Sequence, residues 1–194
     1  MHKLITQHSF ATLISNGTSE PEISHTPMLI DKKKTVLRGH LSKANQHYKG
    51  LLKAEKALAV FHGPHHYISP SSYKNHPSVP TWNYAVVHVS GKASVISNRS
   101  TILKFLSDLV KNHESSEANP WKFELPTAYL EKMVKSVVYF EIAIEEVSAK
   151  FKLSQNRPKD DLPIIIDHLR SLQNENSIDI ANLMVDNVLK KNDL

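Results

Sequence analysis

The chain has 194 residues, 40% of them hydrophobic, a formal net charge of +5 and no cysteine, which excludes disulfides, thiolate metal sites and a cysteine nucleophile. That length can bury one core of ordinary size, and no apolar run approaches the roughly 18 residues of a membrane span. The charge is uneven: residues 1–158 hold 20 Lys/Arg against 12 Asp/Glu, a balance of +8, whereas residues 159–194 hold 4 against 7, a balance of −3.

In chain order, LITQHS reads as the end of a short helix. FATLIS, EISHTPMLI and TVLRGHL then read as three strands rich in β-branched or aromatic residues, with Asn16-Gly17 as a hairpin turn between the first two. SKANQHYKGLLK reads as a short helix with Ser42 as its N-cap. ALAVFHG and HYISP read as further strands, joined by a polar turn at Gly63-Pro64. WNYAVVHVSGKASVI alternates, with Ala85, Val87, Val89, Ala93 and Val95 on one side, and reads as one long bent strand in which Gly91 permits a bulge. Helices are expected at STILKFLSDLVKNH and at PTAYLEKMVKS, the second opened by Pro126. VVYFEIAIEE places Val138, Phe140, Ile142 and Ile144 on one face and reads as the last strand. IIIDHLRSL and IDIANLMVDNVL have helical spacing. Short links between strands favour a closed or nearly closed antiparallel sheet over a parallel one. The expected organisation is a main domain, 1–157, followed by helices at 158–194 that pack on it or across a dimer.

Three stretches carry chemistry. In VLRGHLSK, Arg38, His40 and Ser42 alternate and so share a strand face. A helix starting at Ser42-Lys43 would add unpaired backbone N–H groups and partial positive charge, the makings of a phosphate cradle, or simply a capped helix with exposed basic residues. Gly39 points the other way, where a missing side chain admits a close neighbour. In VPTWNYAVVHV, Trp82 and Tyr84 flank Asn83, a grouping that suits either a planar heteroaromatic ring or the core. FKLSQNRP follows the last strand and crowds Lys152, Gln155, Asn156 and Arg157 together, as an ordinary polar loop or as one that closes over a ligand rich in oxygen acceptors. The histidines of HGPHHY match no common zinc spacing. Glu141 and Glu145 fall on the polar face of the last strand and read as a solvated edge. No nucleophile elbow, P-loop or dinucleotide fingerprint is present, so no catalytic residue is assigned.

LRGHLSKANQHYKGL, FHGPHHYISPSSYKNHPSVPTWNYAVVHVSGKA and FKLSQNRP, in that order, resemble the PaiB-like family of FMN-binding split-barrel proteins, described as negative transcriptional regulators within the pyridoxamine-phosphate-oxidase-like superfamily. The resemblance runs from about Phe10 to about Leu169. It implies a mainly β (α+β) fold, a six-stranded antiparallel split β-barrel with peripheral helices and a C-terminal helical extension. It also implies a homodimer with FMN at the subunit interface, while a cytoplasmic location is expected from the lack of a secretory h-region and cleavage site in MHKLITQHSF. Carried onto this sequence, Arg38, Gly39, His40, Ser42, Lys43 and Asn45 would take the phosphate and ribityl chain, and Trp82 and Asn83 would lie near the isoalloxazine ring. Tyr67 and Ser69 would form pocket wall, and Lys152, Gln155, Asn156 and Arg157 would close the site. Ser72 stands where the family has a tryptophan. The expected function is regulatory, with a flavin-dependent oxidoreductase or a flavin-sensing module as alternatives. DNA is a possible partner, but the acidic C-terminal helices make a poor basic helix-turn-helix.

Overall fold

The computed structural model describes residues 1–16, 20–54 and 56–189. After a short helix α1 (His2–Gln7), strands β1 (Phe10–Asn16) and β2 (Pro21–Pro27) pair antiparallel from Phe10 opposite Pro27 to Asn16 opposite Pro21. The hairpin is therefore present, while Gly17 of the expected Asn16-Gly17 turn lies outside the described residues. β3 (Leu29–Ile30) and β4 (Val36–Ser42) form a second antiparallel pair. EISHTPMLI is thus two strands, divided at Met28, whose fully buried side chain enters the core as the chain passes from pairing with β1 to pairing with β4. The remaining elements are α2 (His47–Leu51), β5 (Ala57–Ile68), a 3-10 turn (Pro70–Ser72), β6 (Thr81–Val95), α3 (Arg99–Glu114), α4 (Thr127–Lys135), β7 (Val137–Lys152), α5 (Asp161–Ser171) and α6 (Glu175–Met184). A π-helical turn, Val185–Leu189, follows α6.

The sheet has seven strands in the order β2-β1-β5-β6-β7-β4-β3, one more than expected because of the two-residue β3. The order is open, with β2 and β3 at its edges. β2 and β4 nevertheless approach each other: the Thr26 hydroxyl donates to the His40 carbonyl at 2.7 Å. A side-chain bond thus joins these two strands where a closed barrel would carry a backbone ladder.

By packing the chain divides into two compact units, Met1–Phe61 with Val87–Ser148, and His62–Val86 with Ala149–Leu194. β5, β6 and β7 each run from one unit into the other. In the first unit, Leu37, Gly39 and Leu41 of β4 and Val87, Val89 and Ala93 of β6 point inward, as strand alternation requires. Val95, expected on the same side, is 51% exposed at the strand end. Gly91 is buried because a Cβ there would stand 1.8 Å from the Ala143 carbonyl oxygen, so only glycine lets the β7 backbone come so close. Ile96, Ile102, Phe105 and Tyr139 build a core beneath α3. In the second unit, Leu162, Ile165, Ile166 and Leu169 of α5 and Ile180, Ala181 and Met184 of α6 bury against Ile68, Tyr73 and Leu153. These spacings are the helical periodicity read from the sequence.

HGPHHY does not turn. Residues 57–68 are one strand, with Gly63 and Pro64 buried within it. Pro64 is tolerated because the ladder with β1 ends at Val60, so its missing N–H is not needed on that side.

Candidate functional site

The first unit carries the β4 group. Arg38, His40 and Ser42 do share the outward face of the strand. The Arg38 guanidinium has one hydrogen bond among the described residues, from Nε to Glu141 at 3.3 Å, directly opposite on β7. Glu141 is therefore half-buried and paired on an interior strand, a correction to its reading as a solvated edge. The His40 ring sits 6.0 Å from Phe105 and 6.2 Å from Tyr139. Burial lowers its pKa below the ordinary imidazole value, favouring the neutral ring, and its Nδ1 is buried with no hydrogen-bond partner among the described residues. Gly39 faces inward, where a Cβ would stand 2.7 Å from the Phe140 ring. Its empty side-chain position is filled by the core, so packing alone accounts for the glycine.

The helix N-terminus expected at Ser42 is not there. Ser42 ends β4, and its hydroxyl accepts the Ala44 N–H at 3.2 Å in a tight turn. Helix α2 is delayed to His47 because Asn45 Oδ1 captures the His47 N–H at 3.0 Å, as short polar side chains do when they compete with helix formation. Lys43 is exposed in the turn, and its N–H donates to the Ser136 carbonyl at 3.0 Å. The donors available here are consequently side chains, Arg38, Lys43 and Ser42, without help from a helix dipole.

The second unit carries the other group. Trp82 and Tyr67 are 53% and 44% exposed and meet edge to face with centroids 5.9 Å apart, and His65 lies 6.1 Å from Trp82. Aromatic faces here remain open. Ser69 instead caps the 3-10 turn, accepting the Ser71 N–H at 3.2 Å. Asn83 is fully buried, accepting from the Ser154 hydroxyl at 3.0 Å and donating to Met184 Sδ at 3.5 Å. Lys152 Nζ donates to the Thr81 hydroxyl.

The donors of FKLSQNRP are mostly engaged in their own unit. Gln155 closes on its own loop, accepting the Leu153 N–H at 2.7 Å and donating to the Phe151 carbonyl at 2.5 Å. Arg157 donates to Asp161 Oδ2 at 2.9 and 2.5 Å, to the Asn75 carbonyl at 3.1 Å and to the Ser78 hydroxyl at 2.9 Å. Its guanidinium carbon also lies 4.0 Å over the Tyr73 ring. Burial alone would raise the Asp161 carboxyl, but hydrogen bonds from the Asn75 side chain and backbone, from Arg157 and from the Lys74 N–H lower it to about 2. Asn83, Gln155 and Arg157 are thus bonded within their own unit. Asn156 alone of the loop's named donors is exposed without a bond recorded among the described residues.

Sequence reasoning missed Asp161 and His47, and counted Ser154 only as one more donor of its loop. Asp161 was visible as the i+4 partner of Arg157. Ser154 takes a positive φ of 60°, which its residue type does not signal. Among the described residues no cluster of three or more His, Asp or Glu is placed to hold a metal ion, and no helix is long and apolar enough to cross a membrane. A cleft of about 410 Å³ near Trp121 contains none of the residues named above.

The pattern of a family described as "Putative FMN-binding domain" matches residues 1–146. The chain belongs to this FMN-binding family. It is 33% identical over 190 residues to the Protease synthase and sporulation protein PAI 2 of Bacillus subtilis (strain 168), an alignment covering 96% of this chain and 91% of that protein. The resemblance to PaiB-like proteins drawn from the three motifs is thus shown. The fold is similar to that of the FAD and heme binding protein of Mycobacterium smegmatis, with a TM-score of 0.61 at 13% identity over 82% of this chain and 74% of that one. It is likewise similar to a flavocytochrome of Azotobacter vinelandii, with a TM-score of 0.59 at 14% identity over 84% and 73%.

FMN is accordingly the cofactor of this split-barrel protein. The β4 group fits such a ligand: a partly exposed guanidinium, an exposed ammonium and a hydroxyl suit phosphate oxygens, and the buried His40 Nδ1 has no hydrogen-bond partner among the described residues.

Proposed function

We propose that the protein is an FMN-dependent regulator of the PaiB type, a cytoplasmic homodimer with FMN at the subunit interface. In this reading Arg38 and Lys43 meet the phosphate charge, Ser42 and His40 add hydrogen bonds, and Asn45 fixes the turn they stand on. The family resemblance assigns Tyr67, Ser69 and Trp82 to the flavin ring and its pocket wall, and Lys152 and Asn156 to the loop that closes it. Bound FMN supplies a redox-active ring. The observation that carries the reading is the outward row Arg38, His40, Ser42 on β4, lying within the matched region while Leu37, Gly39 and Leu41 fill the core.

The regulatory part rests on the relative named for protease synthesis and sporulation. Direct contact with DNA would fall to the basic main domain. α5 and α6 lie in a segment of balance −3 and spend their apolar faces on the core.

The test is a titration of the purified protein with FMN followed by its visible spectrum. Saturable binding in the micromolar range is expected, and its absence would sink the proposal. Steady NADH- or NADPH-dependent flavin reduction would mark an oxidoreductase instead, and sedimentation would check the dimer. A salt-dependent shift of duplex DNA would establish direct contact.

A further inference from the structure

The sequence reading gave His47 no role. It is 4% exposed, at the start of α2, and both ring nitrogens lie on serine hydroxyls of the β1-β2 hairpin: Nε2 is 3.0 Å from Ser15 Oγ and Nδ1 is 2.8 Å from Ser24 Oγ. Ser24 Oγ also receives the Asn45 Nδ2 proton at 2.8 Å, and Asn45 Oδ1 receives the His47 N–H at 3.0 Å. The three residues close a ring of hydrogen bonds. The Ser24 hydroxyl can donate a hydrogen bond to Nδ1, leaving Nε2–H to donate to Ser15. A second feature seats α2 on β2: a Cβ at Gly50 would stand 1.6 Å from Glu22 Oε2, so glycine makes room for that carboxylate.

The ring ends at the turn that carries Ser42 and Lys43, since the Asn45 N–H donates to the Ser42 carbonyl at 3.0 Å. We propose that His47 is a positioning residue for the FMN phosphate, fixing turn 42–45 through Ser24 and Asn45. This rests on the assignment of the β4 group to the phosphate. His47 does not itself touch the ligand; it removes the freedom of a loop that would otherwise have to be ordered when phosphate arrives.

FMN and riboflavin, which lacks the phosphate, separate positioning from general stability. Native protein should bind FMN at least about tenfold tighter than riboflavin, as charge-assisted hydrogen bonds to phosphate require. An asparagine amide reaches where Nδ1 lies and a glutamine amide where Nε2 lies. His47→Asn therefore keeps the Ser24 bond and most of the FMN preference, whereas His47→Gln keeps only the Ser15 bond and lowers the preference about threefold or more with riboflavin affinity unchanged. Ser24→Ala should behave as His47→Gln does. Equal losses for both ligands would make His47 merely structural and overturn the proposal, as would an unchanged preference in His47→Gln. If the native protein itself shows no preference for FMN, the phosphate assignment falls first and this proposal with it.

Discussion

Arg38 lies within β4 and Arg157 in the loop that follows β7, both in motifs rich in polar and basic residues, yet the two are held differently. Arg38 holds one carboxylate at 3.3 Å, and the two side chains are 32% and 35% exposed. Arg157 is 19% exposed and grips an Asp161 side chain that is fully buried, while stacking on Tyr73 and closing on Asn75 and Ser78. A guanidinium whose counter-ion is buried has its donors committed, because releasing them strands a charge in the interior. One whose counter-ion is itself partly exposed, as Glu141 is, can trade it for a phosphate at smaller cost. Availability to a ligand thus follows the burial of the partner more than the local sequence.

The contrast breaks first at Asp161. Asp161→Ala should destabilise the protein by about 3 kcal/mol, since it orphans Arg157 and the Asn75 and Lys74 N–H groups. Urea unfolding measures this, and a loss below ~1 kcal/mol would show that the buried pair is not the anchor of its unit. The pH dependence has a definite sign. The folded carboxyl titrates at about 2, below its ordinary value of 3.8, so its contribution is complete above about pH 4 and lost as pH falls toward 2. Acid unfolding of Asp161→Ala should lack that component.

Arg157→Lys comes next. The charge persists, but the fork that reaches Asp161, Asn75 and Ser78 together does not, and a loss of about 1–2 kcal/mol is expected. FMN affinity distinguishes the two classes of arginine: a fall of tenfold or more in this variant, with folding intact, would return Arg157 to the ligand.

Much of this was legible in the chain. The alternation of β4 and β6 and the apolar stripes of α5 and α6 follow from periods of 2 and 3.6, and the side chains fell where those periods put them except Val95 at the end of β6. The start of α2 was not legible, because Ser42 has the chemistry of an N-cap and only the competing Asn45 contact delays the helix. The roles of Arg157 and Asn83 were hidden for another reason. Their partners Asn75, Ser78 and Met184 lie 79 to 101 residues away, and composition carries no trace of such contacts. Gly39 looked like room for a ligand until Phe140, paired opposite it on β7, was seen to use that room.

Arg38→Ala sharpens the other side of the comparison. Losing a half-exposed pair should cost about 1 kcal/mol of stability or less. FMN affinity should fall about tenfold or more while riboflavin affinity holds, the loss expected of one charge-assisted phosphate contact. Equal stability loss in Arg38→Ala and Arg157→Lys would erase the distinction between the two arginines.

Glu141→Gln has the smallest expected effect and asks the finest question. The carboxylate lies opposite Arg38 in the β4-β7 register, where it both neutralises the guanidinium and adds negative charge beside the proposed phosphate position. Glutamine keeps an oxygen able to accept from Nε, so stability should change by less than about 0.5 kcal/mol. With the repelling charge gone, FMN should bind about two- to fivefold tighter at low salt, and the gain should shrink as ionic strength rises. Riboflavin binding should not move. A tighter, salt-sensitive FMN complex would identify Glu141 as a competitor that the phosphate displaces. A weaker one would mean that the full charge is needed to aim Arg38, so that the pair acts as a unit and the guanidinium is less free than its exposure implies.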